Sequence, residues 1–244
     1  MKGVLICGGT GSRLRPLTEI TNKSLLPVYD KPLICYPLQH LLDAEIKEIA
    51  VIAGPEQLGQ MTTFLGSGSR FGCRFAFIVQ EKPEGIAQAL GLVEDFAAGD
   101  DICAILGDNI FFDDLTPAIK GFRSGGHVFL KEVPDPQRFG VANIDGSAGG
   151  GSLHVTSIEE KPSAPKSNLA VTGCYLYDNT CFSIIRSLKP SKRGELEITD
   201  VSSAYLAKGQ LTATTLSDTW IDAGTFESLF AATSEVRRRK SIHL

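Results

Sequence analysis

The chain has 244 residues, 43% of them hydrophobic and 21% charged, with a formal net charge of −4. That length suits one large α/β domain, and the mildly acidic balance excludes a general nucleic-acid binder, which needs a basic surplus. No stretch approaches a transmembrane span, and the apolar run Val4–Cys7 behind Met1 is too short for a signal peptide, so a cytoplasmic protein with no membrane partner is expected.

The first half alternates short apolar runs with longer amphipathic stretches. Gly3–Cys7 reads as a buried strand followed by a glycine loop, Pro32–Ile46 as a helix, Glu48–Ala53 as a strand and Pro55–Leu65 as a helix with proline in its first turn. Arg74–Val79 and Ile102–Leu106 read as strands around a helix over Ile86–Phe96. Near-continuous apolar strands alternating with helices predict a mostly parallel sheet covered on both faces. The second half is more mixed. Strands are expected over His127–Val133, Gly140–Ile144, Leu153–Glu159, Ala170–Tyr177 and Leu211–Leu216, and helices over Thr180–Leu188, Glu197–Lys208 and Thr225–Arg239. The run from Asp145 to Ser152 reads as a turn between strands rather than a linker, and Asp113 and Asp114 as caps for a helix at Thr116–Pro117. Six cysteines form no C-x-x-C pair, and Cys7 and Cys103 read as core residues. The four histidines show no zinc-ligand spacing and read as surface or packing residues.

The strongest local signal is Gly8-Gly9-Thr10-Gly11-Ser12-Arg13-Leu14 after the first strand. Glycines let backbone N–H groups approach a phosphate, and α/β ligands sit at strand ends; the same loop also fits a tight strand-to-helix turn. A dinucleotide fingerprint would need glycine at Leu14, and a P-loop would need Gly-Lys-Ser/Thr where Gly-Ser-Arg stands. Asp108 follows the run Ile-Cys-Ala-Ile-Leu, which places a carboxylate at the end of a buried strand, and Asp222 sits in a second short apolar motif.

The loop continues through Pro16, Lys23, Leu25-Leu26-Pro27-Val28 and Lys31-Pro32, and in this form it resembles the signature of the bacterial sugar-1-phosphate nucleotidyltransferases. Further segments resemble the family in order along the chain: Gln80 with Pro83–Ala89, Leu106–Asn109, Glu159–Pro162, Val171–Tyr175, Arg193–Asp200 and Trp220–Thr225. The Arg-Gly-Glu-Leu-Glu-Ile-Thr-Asp run points to the thymidylyltransferase branch.

The resemblance implies a Rossmann-like nucleotidyltransferase fold in one domain, with a nucleotide-binding part over about 1–115, a sugar-phosphate part over about 116–225 and a C-terminal helix over 226–240. It implies transfer of a thymidylyl group from dTTP to glucose 1-phosphate with release of pyrophosphate, with UTP or another hexose 1-phosphate as the alternative. Such chemistry brings two polyanions together, so it rests on positioning and on cations. By resemblance, Gly8, Gly9, Gly11, Ser12, Arg13, Lys23, Gln80, Pro83, Gly85 and Asp108 bind the nucleotide. Asn109, Gly140, Glu160, Lys161, Val171, Tyr175 and Arg193 bind the sugar phosphate. Arg13, Lys23, Asp108, Lys161 and Asp222 carry catalysis, and Asp108 and Asp222 hold Mg²⁺. A homo-oligomer, a tetramer, is also implied. Ser24 stands where the branch often has glutamine, Phe139 where tyrosine is usual, and the chain resembles the short form, which lacks the helices that complete an inhibition site in longer members; weak feedback inhibition is the corresponding expectation.

Overall fold

The computed structural model describes residues 1–145 and 153–242. In the first half the chain runs through strand β1 (Lys2–Ile6), a two-stranded ribbon β2 (Pro27–Val28) and β3 (Lys31–Pro32), helix α1 (Cys35–Asp43), strand β4 (Glu48–Ala53), helix α2 (Pro55–Leu65), strand β5 (Arg74–Val79), helices α3 (Ile86–Gly91) and α4 (Glu94–Ala97), strand β6 (Ile102–Leu106), strand β7 (Asn109–Phe111) and helix α5 (Thr116–Gly121). The second half has strands β8 (Gly126–Glu132), β9 (Gly140–Asp145), β10 (Leu153–Glu160) and β11 (Leu169–Tyr177), helices α6 (Cys181–Ser187) and α7 (Ile198–Ala207), strands β12 (Leu211–Thr215) and β13 (Trp220–Asp222), and helix α8 (Phe226–Ile242).

Among the described residues nine strands form one sheet in the order β5-β4-β1-β6-β11-β8-β12-β10-β9. The half of the sheet built from the first part of the chain, β5-β4-β1-β6, is parallel throughout, as the apolar runs predict. Beyond β6 the sheet is mixed: β11 pairs antiparallel with both β6 and β8, whereas β12 runs parallel to β8. The expectation of a mostly parallel sheet therefore holds for the first half only. Two apolar layers cover the sheet. One packs Val4, Ile52, Ala104 and Tyr175 under α3, α6 and α7, and the other packs Leu5, Val51, Ile105 and Leu176 under α1, α2 and α5. Alternate residues of one strand thus enter opposite layers, which is why these strands read as unbroken apolar runs.

Two predicted helices change on folding. The one expected from Pro32 begins only at Cys35, because Lys31 and Pro32 pair with Val28 and Pro27 and the Leu33 amide bonds back to Leu26. The one expected over Ile86–Phe96 breaks in two, because Val93 leaves helical geometry at φ −101°, ψ 12°. Asp114 accepts the Thr116 amide at 2.9 Å, as a cap should. Asp113 instead gathers the amides of Ser217 and Asp218, so it fastens the chain leading into β13 and does not cap α5. The expected turn from Asp145 to Ser152 lies outside the described residues beyond Asp145 itself. Cys7 and Cys103 are fully buried, as read from the sequence. Of the histidines, His40 and His127 pack inside, with ring nitrogens bonded to the Phe111 carbonyl and the Thr212 hydroxyl, and His154 is exposed; His243 lies outside the described residues.

Candidate active site

Parallel strands end together, so the loops after β1, β4, β5 and β6 open on one edge of the sheet. Two hollows lie at that edge. A recess of about 210 Å³ is lined by Gly9, Thr10, Gln57, Gln80 and Pro83. A cleft of about 590 Å³ is lined by Gly8, Ser12, Arg13, Lys23, Asp108, Asn109, Gly140, Glu160, Lys161, Val171, Tyr175, Arg193 and Asp222. The cleft residues named are ones the motifs single out, drawn from positions more than 200 apart in sequence. A larger hollow of about 750 Å³ lies between α5 and β12, but its two carboxylates, Asp113 and Asp114, are already engaged by backbone amides.

The glycine loop carries Arg13 on a short 3-10 turn. Gly11 caps that turn at φ 59°, and a Cβ there would come within 2.8 Å of Thr18 Cγ2, so only glycine fits. Gly85 does not line either space. It sits at φ 114°, where a Cβ would fall 2.3 Å from the Leu196 carbonyl oxygen, and it joins the Gln80 segment to the Arg193 segment. Gln80 donates to Gln88 Oε1 at 2.7 Å, which leaves its own Oε1 as the free acceptor beside Gly8.

Lys23 and Asp108 form a buried ion pair and hydrogen bond. Burial alone would lower the Lys23 ammonium and raise the Asp108 carboxyl. The charge and hydrogen bond that each gives the other outweigh this, so lysine is held above its ordinary value and aspartate below. Asn109 Nδ2 also donates to Asp108 Oδ1 at 2.9 Å. Asn109 lines the cleft, but its oxygen is used within the protein, accepting from the Gly173 amide at 3.1 Å and from Trp220 Nε1 at 2.7 Å. Strand β13 pairs with β7 so that Asp222 lies opposite Asn109, and the Ala223 amide donates to the Asp108 carbonyl at 2.9 Å. This brings the two distant aspartates together. Burial, then the Asp108 charge, push the Asp222 carboxyl up to about 6. Gly224 leaves room for Arg13 beside Asp222: a Cβ there would stand 2.9 Å from Arg13 Nη2 and 3.2 Å from Asp222 Oδ1.

On the other wall, Lys161 follows β10 directly in a left-handed conformation, φ 43°, that a lysine rarely adopts and that its amide bond to the Phe139 carbonyl secures. Lys161 Nζ and Arg193 Nη1 lie 3.5 and 3.4 Å from the same Glu160 Oε1, while Thr199 donates to Oε2. Val171 and Tyr175 of β11 form the floor. Ser24 is fully buried and lines neither space. Phe139 presents its ring edge to Trp220 at 5.1 Å. Sequence reading passed over Arg138 and Gln57, which line the same spaces; each is an isolated polar residue in a turn or helix, with no spacing to mark it, whereas Thr199, which also lines the cleft, falls inside the Arg193–Asp200 motif.

The profile of the nucleotidyl transferase family matches residues 2–239. The chain belongs to this family. It is 44% identical over 248 residues to the glucose-1-phosphate thymidylyltransferase of Neisseria meningitidis serogroup A, covering 99% of this chain and 84% of that protein. It is 46% identical to the enzyme of the same name from Actinoplanes sp., covering 97% and 78%. Among solved structures, a candidate glucose-1-phosphate thymidylyltransferase from Bacillus anthracis in complex with a sucrose superposes with a TM-score of 0.90 at 50% identity, covering 97% of this chain and 95% of that one. A UDP-glucose pyrophosphorylase complexed with UDP-glucose gives 0.86 at 24% identity over 98% of both chains, which extends the likeness of fold alone. This nucleotidyltransferase fold is the one the motifs predict. Among the described residues no helix is long and apolar enough to cross a membrane.

Proposed function

We infer that the protein is a glucose-1-phosphate thymidylyltransferase, joining the thymidylyl group of dTTP to glucose 1-phosphate. The observation that carries this reading is one cleft with Lys23, Asp108 and Asp222 on one wall and Lys161, Arg193 and Glu160 on the other. An oxygen of the sugar phosphate attacks the α-phosphorus of the triphosphate. The bond from the α-phosphorus to the bridging oxygen breaks, and pyrophosphate leaves with the electron pair. The incoming phosphate is already a nucleophile, so no Ser, Cys or His is needed. Arg13 and Lys23 neutralise the triphosphate, and Lys161 and Arg193 hold the sugar phosphate in line. Gln80 offers an acceptor to the base, one that suits the N3–H of thymine and uracil alike, and Glu160 and Tyr175 border the sugar.

A divalent cation fits the two aspartates. Asp222 takes no side-chain hydrogen bond among the described residues, and its carboxyl is pushed up to about 6 by burial and by Asp108, so added positive charge there relieves the repulsion that remains between the two carboxylates beside Lys23 and Arg138. Among the described residues no third His, Cys, Asp or Glu joins them, which suits an ion such as Mg²⁺ that completes its shell with phosphates and water. Bound there, the cation offsets charge on the reacting phosphates. We also read the protein as a homo-oligomer, a tetramer; exposed Phe226 and Phe230, one turn apart on α8, offer apolar surface for such contacts. Light scattering at micromolar concentration tests this, and a monomeric mass overturns it.

The test of function is product mass after incubation with Mg²⁺, either dTTP or UTP, and a panel of hexose 1-phosphates. dTDP-glucose as the main product supports the reading; UDP-sugar made at a higher rate assigns the chain to uridylyl transfer instead.

A further inference from the structure

We propose that Arg138 is a positioning residue for Asp222: its guanidinium is shared between Asp135 and Asp222, competes with the divalent cation for Asp222, and so sets how tightly the substrate-free enzyme holds that cation. The proposal rests on the reading of Asp108 and Asp222 as cation ligands. Arg138 ends a single 3-10 turn, Pro136–Arg138, whose buried proline fixes the backbone. Its Nη1 bonds Asp135 Oδ2 at 2.7 Å, while Nη2 stands 3.6 Å from Asp222 Oδ2. The first is a hydrogen-bonded pair; the second is an ion pair without a hydrogen bond. The guanidinium lies over the Phe139 ring at 5.1 Å, and that ring meets Trp220, two residues before Asp222 on β13. The arginine is therefore braced against the strand that carries its partner.

Lys23 is engaged by Asp108, and Arg13 stands near Asp222 beside Gly224 without forming an ion pair with it, so among the described residues Arg138 is the ion-pair partner of Asp222. A dication on Asp222 and a guanidinium 3.6 Å from the same carboxylate repel each other, and Asp135 is the anchor that draws the guanidinium away. Both side chains keep some contact with solvent, 38% for Arg138 and 18% for Asp222, so screening limits the effect to a modest factor. The geometry makes two substitutions on one guanidinium act in opposite directions. Arg138→Gln removes the competitor and tightens cation binding about three- to tenfold. Asp135→Asn leaves Asp222 as the remaining carboxylate partner and weakens binding by a similar factor.

The experiment is titration of the full chain with Mn²⁺ alone, without substrates, read by electron paramagnetic resonance, for wild type, Arg138→Gln, Asp135→Asn and Asp222→Asn, with circular dichroism to confirm that each folds. Opposite shifts for the first two variants, and loss of the site in the third, support the proposal. Unchanged affinities, or shifts in the same direction, overturn it while leaving Asp222 as a ligand. Absence of any Asp222-dependent binding in wild type overturns both the proposal and the cation reading beneath it.

Discussion

Arg193 and Glu160 face each other in the cleft, with Nη1 3.4 Å from Oε1, and Lys161 shares that oxygen at 3.5 Å. One carboxylate thus holds two cations side by side. Arg193 also reaches Glu195 and Glu197, so its fork is aimed from several sides. Lys161→Ala and Arg193→Ala are expected to lower kcat/KM for glucose 1-phosphate about ten- to a hundredfold, the loss of one charge-assisted phosphate contact of roughly 1.5–3 kcal/mol. The KM for the nucleotide should change little. Steady-state kinetics with each substrate varied in turn checks this, and unaltered use of glucose 1-phosphate in both variants removes these residues from the sugar-phosphate site.

Asp108→Asn and Asp222→Asn are expected to reduce turnover to near background with the fold preserved. In Asp108→Asn, Lys23 loses its buried counter-charge, so some loss of stability accompanies the loss of activity. Asp222 has only the 3.6 Å ion pair with the partly exposed Arg138, and its variant should melt close to wild type. Turnover that persists in excess chelator, or an active Asp222→Asn enzyme, contradicts the cation reading.

The parts of the fold legible in the sequence are those that local signals decide. β4, β5, β6 and α2 match their predicted bounds because apolar runs, Pro55 and Gly66 mark them locally. What escaped depends on distant partners. β7 and β13 have three residues each and exist only because they pair with one another across more than a hundred positions. That pairing delivers Asp222 to Asp108, so motif order named both aspartates but could not supply the geometry that joins them. Arg138 escaped for the same reason, since its meaning lies in a contact with Asp222 that no spacing records.

Two glycines of the nucleotide side should respond differently to alanine. At Gly8 a Cβ would come within 1.9 Å of Gln80 Oε1, the movable end of a side chain, and no left-handed backbone is required. Gly8→Ala should therefore fold, displace Gln80 and raise the KM for dTTP. At Gly85 the obstacle is the Leu196 backbone, and φ is 114°. Gly85→Ala should cost at least about 1–3 kcal/mol of stability, because neither the strain nor the clash can be relieved by a rotamer. Thermal melts paired with nucleotide kinetics separate the two cases. Equal melting losses in both variants would show that Gln80 does not yield.

His127 makes stability depend on pH in a defined direction. It lies buried on β8, its Nδ1 bonded to the Thr212 hydroxyl at 2.8 Å and its Nε2 without a partner. The Thr212 hydroxyl is itself 3.3 Å from the Gly126 carbonyl, to which it donates, so the imidazole serves as donor through Nδ1 and stays neutral. Burial lowers its pKa from the ordinary 6.5 to about 4. The unfolded chain then binds a proton more readily than the folded one between those two values. Stability from this residue is fully present above pH 6.5 and is lost progressively as pH falls toward 4, with a total of about 3 kcal/mol. Other carboxylates also lose stability in acid, so wild type must be compared with His127→Gln, which titrates nothing at this position. Urea unfolding at pH 7.5, 5.5 and 4.5 should show the gap between the two proteins shifting in favour of the variant as pH falls. A gap that stays constant across the three values would mean that His127 is accessible to protons in the folded state and that its burial does not hold it neutral.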